Sequence, residues 1–279
     1  MSEASGQLAQ FAEYATLIES LLRKHGGDAP GPLDQAAATL HAALGLGGQL
    51  SPSLVVLDEQ PVDAGGHTRA VYRPLVLHAW VTACDLMHDA VTDAGVMSLH
   101  SACESAAGEM ESRGLSAGQG GAVAELSWWA LALFGAGRLL GRTMWLERAL
   151  DLLMPLVAGQ QESGALLSTS ASDNPETHWY HELLILHALA GYAVRAEDRL
   201  AARAVRRATE FHINETQPDH ATTQPWGLFA FIWNPATRIL ADGLLHAAQT
   251  QHPDGPDAVS RILLADTLVC LRAFCGRDR

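Results

Sequence analysis

An all-α fold is predicted, a single domain of repeated antiparallel helical hairpins, and three observations predict it. Apolar residues recur at helical spacing almost throughout, no stretch alternates with period two for long, and glycine and proline divide the chain into segments. The hydrophobic residues, 48% of the 279, are mostly alanine and leucine, which favour helix, while β-branched runs are scarce. A chain of this length and apolar content can bury a sizeable core, and it reads as one domain over residues 1–279. Within it, 1–71 supplies N-terminal helices and a long loop, and 72–275 the repeated hairpins.

The elements follow in order. Periodicity alone places helices near 3–24 and 33–44. The connection after them holds the best strand candidate, Leu54–Leu57, which is short and lies within a loop. Arg73-Pro74 puts proline at the first position of a helix near 73–91, where its missing N–H is no loss. Helices near 98–110, 122–139 and 143–157 follow. Thr177 can cap a helix near 177–194, and one near 197–212 comes next. Gln224-Pro225 opens 225–233, Asn234-Pro235 supplies an N-cap and an N1 proline for 235–250, and the last helix lies near 257–274.

Composition narrows the function classes. The net charge of −13 argues against nucleic acid or an anionic membrane surface as partner. The N-terminal sequence has neither a basic nor an apolar leader region, and the uncharged run from Leu126 to Gly137 is too short to span a bilayer, so it reads as a buried core helix. Four cysteines in a chain this long do not make a disulfide framework, so a cytoplasmic protein with reduced thiols is expected.

Two segments read as copies of one unit: residues 128–153 and 181–208 pair Leu131 with Leu184, Leu133 with Leu186 and Arg142 with Arg195. Aromatic helix starts at Tyr72, Trp128, Trp179 and Trp226 recur about every 50 residues, the spacing of a helical-repeat array. Within each unit the connection is short, near 92–97, 140–142, 195–196 and 234. Between units it is longer and polar, at 45–72, 111–121, 158–176 and 213–224. Antiparallel hairpins would bring all the long loops to one face, the usual place for function.

Apolar inner helices, amphipathic outer ones and this period resemble the α/α toroids, namely terpenoid cyclases, protein prenyltransferases and six-hairpin glycosidases, over roughly residues 72–275. The chain carries no DxDD motif and no Asp/Cys/His zinc set matching those families, so the resemblance implies an architecture and not an activity.

The segment THWYHELL is richest in chemical groups. His178, His181 and Glu182 share one face of a first helical turn, with Asp173 just upstream. The next long loop supplies Glu215, Asp219, His220 and then Trp226. Neighbouring hairpins would bring these loops together at one mouth. His178, His181, Glu182, Asp219 and His220 are then the candidate acid–base groups, and Asp173, Trp179, Glu215 and Trp226 the candidate ligand contacts, with the tryptophans stacking on a flat face. The alternative is that these groups cap helix ends and tie the loops together.

Cys84, His88, His100 and Cys103 carry the donor types of a tetrahedral zinc site, but packed thiols and imidazoles are the preferred reading and no metal is expected. Asp85, Asp89 and Asp93 read as a solvated helix face. No motif identifies a cofactor. Two functions remain open: a cleft on the long-loop face that binds or processes a small polar, carbohydrate-like molecule, and a non-catalytic helical-repeat scaffold for another protein.

Overall fold

A computed structural model describes residues 3–26, 29, 31–44, 68–87, 101, 104, 120–168, 175–215, 222, 224–250 and 256–275. These residues form helices and turns with no strand among them, as the helical period requires. Ten α-helices are described: α1 (Glu3–Gly26), α2 (Pro32–Ala43), α3 (Thr68–Leu86), α4 (Gly120–Leu140), α5 (Thr143–Ala158), α6 (Pro175–Ala196), α7 (Arg199–Glu215), α8 (Leu228–Trp233), α9 (Arg238–Thr250) and α10 (Ala258–Cys275). Of the expected helix at 98–110 only residues 101 and 104 are described, both in helical conformation, and the candidate strand Leu54–Leu57 lies outside the described residues.

Local chemistry sets the boundaries. Pro32 sits at the start of α2 with Asp34 in its first turn. α7 begins after Asp198, whose Oδ1 accepts the N–H groups of Leu200 and Ala201. Asn234 caps as expected, its side chain accepting the Ala236 N–H, but Pro235–Thr237 form a 3₁₀ turn before α9 begins. Three starts differ from the sequence reading, the first being α6, which begins at Pro175 so that Thr177 lies inside its first turn and does not cap it. α3 begins at Thr68 and carries Pro74 inside it, so the proline forgoes one ladder hydrogen bond instead of opening the helix. α8 begins only at Leu228, because Gly227 holds φ at +71°, a left-handed conformation that interrupts any helix from Pro225.

Packing explains the composition. α4 and α6 are apolar nearly all round, and their buried sides meet α3, α5, α7 and α10. Among the described residues the stretch Ala122–Leu140 is long and apolar enough to cross a membrane by composition, and 67% of its most apolar window is buried in the protein. Trp128, Trp226, Phe11, Phe231 and Ile18 are among the largest fully buried side chains. α7 is strongly two-faced: Ala201, Ala204, Val205 and Ala208 pack inward, and Arg203 and Arg206 are exposed.

The inner packing has a consistent direction. Gly135 on α4 packs against Val81 on α3, Trp128 Nε1 of α4 donates to the Leu184 carbonyl of α6 at 3.0 Å, and Arg138 reaches the Arg195 carbonyl. His187 and Arg195 of α6 meet Asp266 and Cys270 of α10. His78 of α3 lies beside Trp128 of α4 as Val81 lies beside Gly135, so residue numbers rise together across each pair and α3, α4, α6 and α10 run the same way. The short turns after α4 and α6 each place a residue at positive φ, Gly141 and Glu197.

Candidate functional site

The sequence-nominated groups fall into three sets. Asp173, Asp219 and His220 lie outside the described residues, as do His88, His100 and Cys103. Trp179 and His181 are half-buried in the first turns of α6, and Glu215 is the exposed last residue of α7. The remaining four, Cys84, His178, Glu182 and Trp226, are buried.

Glu182 is not a solvent-facing acid. It is 0% exposed, and its carboxylate oxygens accept the backbone N–H groups of Leu166 at 2.9 Å and Leu167 at 2.6 Å. Those amides belong to the segment after α5, which is also fastened to α7. Gln160 donates to the Ala204 carbonyl, Arg207 donates to the Gln161 and Glu162 carbonyls, and Gly164 passes so close that a Cβ would lie 2.5 Å from the Arg207 oxygen. His178 Nε2 lies 3.8 Å from Glu182 Oε1. Burial pushes the Glu182 carboxyl up to about 7, opposed by the two backbone donors. His212, buried near His178, is pushed down to about 3, by burial first and by the second imidazole next. These groups tie a loop to two helices, which is the alternative the sequence left open for Glu182.

Trp226 likewise cannot be a stacking wall of an open cleft. It is 0% exposed, and its indole N–H is shared between Gln224 Oε1 at 2.9 Å and the Tyr180 hydroxyl at 3.0 Å. Its ring lies edge-on to Trp128 at 5.6 Å and to His187 at 6.0 Å. Trp226 therefore caps a deeper group of side chains that the sequence reading passed over.

That group is centred on Asp266 of α10. Its Oδ1 is 2.7 Å from His78 Nε2 of α3, its Oδ2 is 3.3 Å from His187 Nε2 of α6, and Arg195 of α6 donates to Oδ1. The Cys270 thiol donates to Asp266 Oδ2, and Arg195 donates to Cys270 Sγ and to the Gly191 carbonyl. Three helices thus surround one carboxylate that is 2% exposed. Burial alone would raise the Asp266 carboxyl. The charge of Arg195, first, and the hydrogen bonds from the two imidazoles outweigh it and hold the group well below the usual carboxylate range. Arg195 stays cationic: burial opposes its charge, but Asp266 more than restores it. Burial also pushes the Cys270 thiol up to about 12, so no thiolate forms near neutrality.

The tautomers follow from the partners. An ionised carboxylate only accepts, so both imidazoles donate from Nε2. His187 Nδ1 accepts the Gly227 N–H at 3.2 Å, which explains why the left-handed turn is built there. His78 is different. Its pKa is lowered, chiefly by burial, so the ring is neutral, and its Nδ1 is buried with no hydrogen-bond partner among the described residues. A carboxylate that fixes one imidazole nitrogen and leaves a lone pair on the other is the arrangement of a general base.

On α3, burial pushes the Cys84 thiol up to about 12, the inert state of a packed cysteine. Among the described residues no three His, Cys, Asp or Glu side chains are placed to hold a metal ion. Compared with known proteins, the chain matches no family model, no curated protein and no solved structure.

Proposed function

We propose that this chain is an α/α-toroid-like domain that holds a small, polar, carbohydrate-like molecule on its axis, with His78 as the acid–base group. Support for the ring comes from the order of the contacts. α2 packs on α3, α3 on α4, α4 on α6, α6 on α8, α8 on α10, and α10 on α2 again. α5, α7 and α9 each follow an inner helix and pack against it, and α1 packs against α2 and α10 from the outside. The site therefore moves from the loops named in the sequence to the centre, where α3, α6 and α10 converge.

The observation that carries the functional reading is the buried, unpartnered Nδ1 of His78 opposite its Asp266-bound Nε2. A buried polar atom without a partner costs about 1–3 kcal/mol, a cost that a bound hydroxyl would relieve. Asp266 and Arg195 neutralise each other, so the atom left over is an uncharged acceptor and suits a hydroxyl better than an ion. His78 would take the hydroxyl proton, and Asp266 would stabilise the resulting imidazolium. Access requires the Trp226–Tyr180–Gln224 cap to move.

The test is ligand-detected saturation-transfer NMR with a panel of uncharged monosaccharides against wild type and His78→Asn. Saturation of at least one sugar, lost in the variant while its circular dichroism is unchanged, is expected. No saturation by any sugar, or equal saturation in both proteins, overturns the reading. A second reading, a scaffold for another protein, is favoured by Met144 and Leu200, exposed apolar residues at the same distance past the bridged turns at Gly141 and Glu197.

A further inference from the structure

A separate feature lies away from the axis, between α1 and the end of α10. Leu8, Phe11, Ala12 and Ala15 form one stripe of α1, and Leu271, Arg272 and Cys275 face them from α10 around a groove of about 320 Å³. Phe11, Ala15 and Leu271 are the buried floor, whereas Ala12 and Arg272 form exposed edges and Leu8 and Cys275 are half-buried. The floor is rigid: the Phe11 ring packs edge-on against Phe274 at 5.2 Å, and Phe274 packs in turn on Trp233. Along this stripe the seam between the helices stays open.

The lining is chemically one-sided. Leucine, phenylalanine and alanine offer no hydrogen bond, and no carboxylate lines the groove. One guanidinium, Arg272, stands at its edge and makes no hydrogen bond or ion pair among the described residues. An apolar trough with a single cation at one edge complements a molecule with an apolar tail and one negative head. A sugar or other uniformly polar ligand has nothing to bond there, so this groove is not a second copy of the axial site.

We propose that the α1–α10 groove binds a medium-chain aliphatic carboxylate, its hydrocarbon chain lying between Leu8, Phe11, Ala15 and Leu271 and its carboxylate on Arg272. The planar guanidinium suits the bidentate geometry of a carboxylate. A volume of about 320 Å³, near the lower end of the range for small-molecule sites, is enough for a single acyl chain.

Calorimetry with dodecanoate and with dodecanol, each below its micelle concentration, tests this on the whole chain. Saturable binding of dodecanoate is expected, about tenfold tighter than dodecanol, the equivalent of one good charge-assisted contact. Arg272→Gln should bring the two ligands to equal affinity. Ala12→Trp, made at an exposed edge, should fill the groove and abolish both; Ala12→Leu serves if the tryptophan variant misfolds. Alkylation of Cys275 by a maleimide, followed by peptide mass mapping, should slow when dodecanoate is present. No saturable binding, equal affinity for acid and alcohol in wild type, or undiminished binding after Ala12 is enlarged would each overturn the assignment. None of these outcomes bears on His78.

Discussion

Replacing Asp266 by asparagine tests the central network most directly, because the change keeps the shape and removes only the charge. Among the described residues Asp266 is the sole carboxylate bonded to the Arg195 guanidinium, and both side chains are almost wholly buried, at 3% and 12% exposure. In the variant the guanidinium remains inside with no counter-charge. The new amide also turns an N–H₂ group toward partners that donate, since His78 and His187 both present Nε2–H. Breaking a buried pair by removing one partner costs about 3–5 kcal/mol, most of it the price of the abandoned charge. Urea unfolding followed by the fluorescence of the buried tryptophans Trp128 and Trp226 measures the loss. The double variant Asp266→Asn with Arg195→Met removes the abandoned cation as well, while the amide oxygen can still accept from an imidazole, and should recover part of the stability lost in the single variant. A single variant losing less than about 1 kcal/mol, or a double variant no better than the single, would refute the claim that these two charges depend on each other.

Two further outcomes follow from the loop after α5. Glu182 has a folded-state pKa of about 7 against an ordinary value of 4.5, so its contribution is fully present below pH 4.5 and is lost as pH rises through 7. Wild type should therefore lose up to about 3 kcal/mol relative to Glu182→Gln between pH 5 and 8, as measured by denaturant unfolding at each pH; a difference independent of pH would contradict the burial argument. Gly164→Ala should cost about 1–3 kcal/mol, because Gly164 has φ +99° and its new Cβ would meet the Arg207 carbonyl at 2.5 Å. Hydrogen exchange of the Leu166 and Leu167 amides should rise in that variant, and unchanged protection would show that the loop does not depend on this contact.

The helical character of the chain, most of its helix positions and the Asn234 cap were legible in the sequence, since each rests on interactions within a few residues. The 3.6-residue period, the Asn234 cap and the apolar run around Trp128 are signals of that kind. The departures at α3 and α8 are also local, set by one proline carried inside a helix and by one glycine at positive φ.

The centre was not legible in the same way. Leu-His-Ala occurs four times, at 40–42, 77–79, 186–188 and 245–247. The first and last histidines, His41 and His246, stay wholly or partly in contact with solvent, while His78 and His187 are buried on Asp266. A single polar residue inside an apolar run marks a candidate, and Asp266 in LLADTLV carries the same mark. Nothing local says which of these residues meet, because His78 and Asp266 are 188 positions apart and pair only through the packing of α3 against α10. The same long-range packing buried Glu182 and Trp226, whose composition suggested an open cleft. Helices are decided by neighbours along the chain, whereas burial and the partner of each buried charge are decided by which helices face one another. Only the tertiary structure set those partners.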